Sequence, residues 1–241
     1  MQDRYAGDVG DFGKIGMLRK IAESGLRVGV NWYLTYKPEE HTNDDGKHIG
    51  YLHDGIFRGC DDELLKSLYV IANGTRSVAE LESANLIPGA SYYREILQPG
   101  SDKNFQRSIW HRNSLVTLSE CDIVFCDPDN GLIVKSVSQN SNKSDKYILP
   151  DEIGAYYQAG KSVIFYNHRC REQEQIYLQR FQSLKQNQEL VGARLKGLKF
   201  VRGTIRDYIF ILQEEHLYKV ETAFENIMGI NWNKDFSELN I

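Results

Sequence analysis

The apolar run Ile123–Cys126 is stopped abruptly by Asp127-Pro128-Asp129-Asn130-Gly131. Four apolar residues bounded by turn formers are too few for a helix and read as a buried strand. A second run, Ser162–Tyr166, ends in the same manner at Asn167-His168, and Val28–Leu34 is a third strand. Helical spacing occupies the intervals. Ile15, Leu18, Ile21 and Ala22 mark a helix over Lys14–Ser24 with Gly25 as its stop, and Glu63–Ala72, Val78–Ala84 and Phe105–Leu118 follow. Tyr92–Leu97 reads as a strand before the last of these. The later half repeats the alternation, with helices over Asp151–Gln158, Arg171–Lys185 and His216–Met228 and strands at Lys199–Val201 and Tyr208–Leu212. Strands alternating with helices predict an α/β fold. The expected form is a three-layer sandwich with a mostly parallel central sheet flanked by helices, Rossmann-like in outline.

No Pro/Gly/Ser-rich linker or shift in composition divides the 241 residues, so a single α/β domain over 1–241 is expected, with a helical insertion around 61–118. The formal charge of −4 gives no global nucleic-acid signature, and any such surface must be local. No run of about 18 apolar residues and no signal peptide is visible, which predicts a cytoplasmic protein without a membrane partner. Cys60, Cys121, Cys126 and Cys170 lack zinc-like spacing and read as reduced thiols. The Ser/Asn/Lys-rich stretch Ser136–Lys146 is expected to be a mobile loop beside the Asp127 turn, and a candidate lid.

In parallel sheets, ligands collect at the carboxyl ends of strands. Asp127, Asn130 and His168 are therefore the candidate catalytic groups, with Asp129, Tyr166 and Asn167 around them. A carboxylate and an imidazole across one crevice suit the orientation of water and the stabilisation of charge on a departing group. A structural alternative is that His168 merely satisfies a loop carbonyl. The glycine-rich segment Tyr5–Lys14 precedes a helix, where backbone N–H groups and Lys14 could hold a phosphate. Asp8 and Asp11 oppose that reading unless a metal or a cap absorbs their charge, and Asp11 is the expected N-cap. Asp44, Lys47 and His48 lie in a loop on the same predicted edge. Arg194, Lys196, Lys199, Arg202 and Arg206 form a run without an acid, the pattern of a phosphate-backbone contact. The pairs Asp8/Asp11, Asp44/Asp45 and Asp127/Asp129 are the carboxylates a magnesium site would draw on.

Two resemblances rest on these motifs. Ala6-Gly7-Asp8…Asp11…Lys14 with a later strand ending in Asp127-Pro128 is similar to the ribosomal RNA adenine-N6 methyltransferases of the Asp-Pro-Pro-Tyr type. Here Thr35-Tyr36-Lys37-Pro38-Glu39 lacks the glycines that accept S-adenosylmethionine, and Asp129-Asn130 replaces the Pro-Tyr pair. Asp127-Pro128 followed by Asn167-His168 also resembles the two motifs of the uracil-DNA glycosylase superfamily, although Arg169-Cys170 replaces the usual Pro-Ser. That resemblance implies a water-orienting Asp127 (or Asn130) and a base-contacting His168. The pattern Asp3-Arg4-Tyr5-x-Gly7-Asp8 with Asp127-Pro-Asp-Asn-Gly131 is similar to bacterial proteins resembling antiviral glycosylases of modified phage DNA. The expectation is a DNA N-glycosylase that needs no organic cofactor and no obligate protein partner, acting on a flipped, modified base in double-stranded DNA. The alternatives are S-adenosylmethionine-dependent methylation, a magnesium-dependent nuclease and an inert nucleic-acid-binding module.

Overall fold

The computed structural model describes residues 1–35, 48–98, 102–229 and 231–241. A 3-10 turn at Asp3–Tyr5 leads into helix α1 (Val9–Glu23) and strand β1 (Val28–Asn31). Helices α2 (Tyr51–Asp54), α3 (Asp62–Asn73) and α4 (Val78–Ser83) precede β2 (Ser91–Tyr93). Helix α5 (Lys103–Thr117) delivers the chain to β3 (Ile123–Cys126). A small parallel ladder, β4 (Gly131–Leu132) with β5 (Tyr147–Ile148), comes before α6 (Pro150–Gln158), β6 (Ser162–His168) and α7 (Glu174–Gln182). The chain ends with β7 (Arg194–Arg202), β8 (Thr204–Leu212), α8 (Leu217–Met228) and β9 (Phe236–Glu238).

Seven strands form one sheet in the order β2-β1-β3-β6-β8-β7-β9. The first four are parallel, whereas β8 is antiparallel to β6, β7 to β8 and β9 to β7. The sheet is therefore mostly parallel in direction, since β7 runs with the first four strands, but mixed in pairing, because β8 and β9 run against them. The reason is local. Gly203 alone separates β7 from β8, at a left-handed φ of 67°, and a parallel crossover needs a dozen or more residues.

Alternation along β3 builds the layers. Ile123 and Phe125 face a core shared with α1, α3 and α8, while Val124 and Cys126 face one shared with α5, α6 and α7. Helix α1 sits unusually close to the sheet because Gly13 faces it. A methyl group there would lie 2.7 Å from the Phe200 ring. Phe12 on the same helix stacks on Trp232 at 4.5 Å between centroids.

The stretch 136–146, expected to be mobile, is tied down. Asn142–Lys146 forms a 3-10 turn with Ser144 buried. Lys103 donates to the Ser141 carbonyl at 2.6 Å, and Arg107 donates to the Ser144 and Tyr147 carbonyls at 2.9 and 2.6 Å. Arg107 also forms a buried ion pair with Glu152 at 2.6 Å, whose other oxygen accepts from Tyr33 at 3.1 Å. Polar low complexity in the sequence concealed carbonyls that two basic side chains of α5 hold in place. Among the described residues no helix is long and apolar enough to cross a membrane.

Candidate functional site

Strand order reverses between β1 and β3, and a cavity of about 460 Å³ opens at the carboxyl ends of β3 and β6. Its floor is a buried charge cluster. Asp127 follows Cys126, so alternation turns its side chain toward α1, where Lys14 meets it at 2.7 Å. Lys14 also holds Asp11, one turn earlier in α1, at 2.8 Å. Asp127 is 6% exposed and Lys14 is 5% exposed. Asp8, not Asp11, is the N-cap of α1 and accepts from the Asp11 N–H at 3.0 Å, while Asp11 accepts from the Gly7 N–H at 2.9 Å.

One ammonium thus serves two carboxylates. Burial pushes the Asp11 carboxyl up to about 6; Lys14 opposes that shift, and the negative charges of Asp8 and Asp127 add to it. Burial disfavours the Lys14 ammonium too, but Asp11 and Asp127 outweigh it and lift the group above the usual lysine range. Among the described residues no cluster of three or more metal-ligating side chains forms. At the floor of the cavity the Lys14 ammonium is the cation that the acids surround.

The walls come from the antiparallel β6–β8 pair. Tyr166 lies opposite Tyr208 and His168 opposite Arg206, so all four side chains share the face toward α1. The Tyr166 hydroxyl and His168 Nδ1 are 3.1 Å apart. Partial burial, and then the Arg206 charge, lowers the His168 pKa below the ordinary imidazole value and so favours the neutral ring, although the residue remains exposed. Arg206 packs across Gly10, where a Cβ would meet its Nε at 2.5 Å, and its guanidinium reaches Asp8 at 4.0 Å. Asn130 lines the rim, and its carbonyl accepts from the His168 N–H at 3.2 Å. Asp129 is fixed by Gln2 at 2.8 Å and by the Met1 amine at 3.3 Å.

The structure brings together Asp8, Asp11, Lys14, His48, Asp127, Asp129, Asn130, Tyr166, His168 and Arg206. Asp44 and Lys47 lie outside the described residues. Asn167 does not join the group, and this corrects the sequence reading. Being one residue from Tyr166 and His168, it faces the opposite side of the sheet. There it accepts from the Leu132 N–H at 2.9 Å and donates to the Tyr177 hydroxyl at 2.8 Å, packed against Gly131 at φ 104°.

The phosphate-loop reading of Tyr5–Lys14 is corrected as well. The helix begins at Val9, and Lys14 is buried on carboxylates inside it. Most of the basic run is neutralised by the protein's own acids. Arg194 pairs with Glu214, Lys196 with Glu221 and Arg202 with Asp235. Lys199 lines a separate, open groove of about 540 Å³ between α7 and β9, beside Glu174 and Glu238. Only Arg206 of the five reaches the cavity. Residues that sequence reasoning missed are Gln2, Arg4, Tyr5, Lys146, Thr204 and Tyr208. The signal for Thr204 and Tyr208 was the two-residue alternation they share with Arg206.

No protein-family model matches the chain, and no curated protein matches it. Among solved structures it is similar to the crystal structure of protein LPL1258 from Legionella pneumophila str. Philadelphia 1, described with the family-model DUF519. The identity is 13%, the alignment covers 97% of each chain, and the TM-score is 0.43. A likeness at that level leaves the chemistry to be read from the residues of the cavity.

Proposed function

We propose that the chain is a hydrolase that cleaves the N-glycosidic bond of a flipped-out DNA base without an organic cofactor. The observation that carries this reading is the single compartment uniting Asp127, Asn130, His168 and tyrosine faces at the ends of β3 and β6. A cavity of about 460 Å³ has the size of a site for one compact ligand. Extrusion of the base costs a few kcal/mol of unstacking, which contacts in such a pocket offset.

In this reading the C1′–N bond breaks as positive charge grows on the sugar and negative charge on the base. Lys14 holds Asp127 Oδ2, and the carboxylate orients the attacking water and stabilises the sugar cation. With Tyr166 donating to Nδ1, the neutral His168 ring carries its proton on Nε2 and can donate to the departing base. Arg4, Lys146 and Arg206 line the cavity as the cations nearest to a flanking phosphate.

One second reading, methyl transfer to a base, is favoured by the strand order. Four parallel strands followed by a reversed β8 inserted ahead of β7 resemble the Rossmann-like sheet of nucleic-acid methyltransferases, with the Asp-Pro turn beside β1. Tyr33, at a left-handed φ of 50° just beyond β1, marks a strained turn of the kind glycine adopts freely. The described residues do not fit the methyl donor, however. Trp32 and Tyr33 are buried against the protein, and neither they nor any residue of β1 lines the cavity. A donor and an acceptor base would need adjoining compartments.

The test is incubation with unmodified and phage-modified duplex DNA, with mass spectrometry of released bases and alkali treatment to reveal abasic sites. Base release without added S-adenosylmethionine is expected. Substitution Asp127→Asn should lower kcat by about 10²–10³ while KM stays within a few-fold, because the lost charge acts on the transition state. No release, together with a rise in melting temperature on adding S-adenosylmethionine, would transfer the assignment to methylation.

A further inference from the structure

Tyr208 is fully buried in the centre of β8 and is one of the residues lining the cavity, yet among the described residues its hydroxyl has no hydrogen-bond partner. The contrast with its neighbours is informative. Tyr33 binds Glu152, Tyr51 the Gly7 carbonyl, Tyr93 the Trp110 carbonyl, Tyr156 Asn31 and Ser114, and Tyr177 Asn167. Among the described residues His111 Nε2 and Trp232 Nε1 are also unpaired, but neither residue borders this cavity. A buried hydroxyl without a partner destabilises the protein unless something else satisfies it. Burial also holds the Tyr208 phenol well above the usual tyrosine pKa, so it stays protonated and able to donate.

We propose that Tyr208 is the specificity-determining donor of the cavity, its hydroxyl donating to a carbonyl oxygen or ring nitrogen on the Watson–Crick edge of the bound base. The proposal rests on the base-binding reading above. Register supports it, because Tyr208 stands directly opposite Tyr166 and two residues along from Arg206. Tyr208 therefore stands in the wall of the cavity beside Tyr166, two strands from the Asp127 that acts at the sugar in the proposed reaction. A site built around a donor also rejects ligands that lack the matching acceptor.

Tyr208→Phe removes the hydroxyl and leaves the ring, so it separates a ligand-directed group from a structural one. The expected melting temperature of the ligand-free variant equals or exceeds that of the parent, by about 2–4 °C, because an unsatisfied polar atom has been removed. Binding is measured by calorimetry with deoxyadenosine, deoxyguanosine, deoxycytidine, thymidine and 5-hydroxymethyl-2′-deoxycytidine. The variant should bind the preferred nucleoside about tenfold to hundredfold more weakly. A purely structural tyrosine would not combine retained stability with lost affinity. If the parent binds a nucleoside and the variant binds it within twofold, the role of Tyr208 is refuted while the base site stands. If the parent binds none of the five, both the proposal and the base-binding reading fail.

Discussion

The charge cluster beneath the cavity makes Asp11→Asn a decisive perturbation. Two carboxylates share Lys14, and burial leaves Asp11 with a pKa raised from 3.8 to about 6. A rise of roughly two units at about 1.4 kcal/mol each puts the cost of ionising Asp11 in the folded protein near 3 kcal/mol. Between pH 3.8 and about 6 the native state binds the extra proton, so parent stability falls as pH rises through that window. Asn at this position carries no charge and has no such window. Its single oxygen cannot serve both the Gly7 N–H and Lys14, which costs about 1 kcal/mol at every pH. The two effects give a crossing. Asp11→Asn should be about 1 kcal/mol less stable near pH 4 and about 2 kcal/mol more stable near pH 7. With a urea m-value of about 2 kcal/mol/M, the midpoint at pH 7 should rise by about 1 M. Urea unfolding at pH 4, 5, 6 and 7 checks this. A parent–variant difference that does not change with pH, or a less stable variant at pH 7, would refute the account of the cluster.

Two other predictions probe the same framework. Lys14→Met leaves Asp11 and Asp127 buried without their ammonium and should cost about 3–5 kcal/mol at neutral pH, partly recovered in acid as a carboxylate takes up a proton. A loss under about 1 kcal/mol in urea unfolding would mean that other cations neutralise the pair. Arg107→Met strips Glu152 of its buried partner and two carbonyls of their donor. A similar cost is expected, with faster amide hydrogen exchange across 142–148 than across β3.

Much of the parallel half of the sheet was legible because its signals are local. Ile123–Cys126 is a strand with the expected limits, and Asp61 caps α3 as two acids before an amphipathic run suggest. The β7–β8 hairpin was harder, because nine-residue strands of which the first carries Arg194, Lys196, Lys199 and Arg202 do not read as a buried pair. Their cations are absorbed by Glu214, Glu221 and Asp235, distant partners that a run of basic residues cannot reveal. Asn167 shows the same limit on a finer scale. The sequence places it at the end of a strand beside His168, but only the pleat decides which side of the sheet it faces, and it faces away from the cavity.

The position of Lys14 bears most directly on chemistry. Before a helix, a glycine-rich segment ending in lysine suggests phosphate binding, because the ammonium would be free to meet an anion. In the fold it is enclosed by Asp11 and Asp127, and Asp8 sits at the helix N-terminus where a phosphate would have to approach. With Asp11 titrating near 6, the group of Asp11, Asp127 and Lys14 carries a net charge of −1 at neutral pH. Such a floor favours positive charge developing directly above it, while Arg4, Lys146 and Arg206 elsewhere in the lining can meet a flanking phosphate. Glycosidic cleavage places positive charge on the sugar, whereas nuclease chemistry accumulates negative charge on phosphorus oxygens and needs cations there. The sign of the floor therefore supports a reaction at the sugar–base bond over one at the phosphodiester, and it does so through a lysine that does not itself contact the ligand in the proposed role.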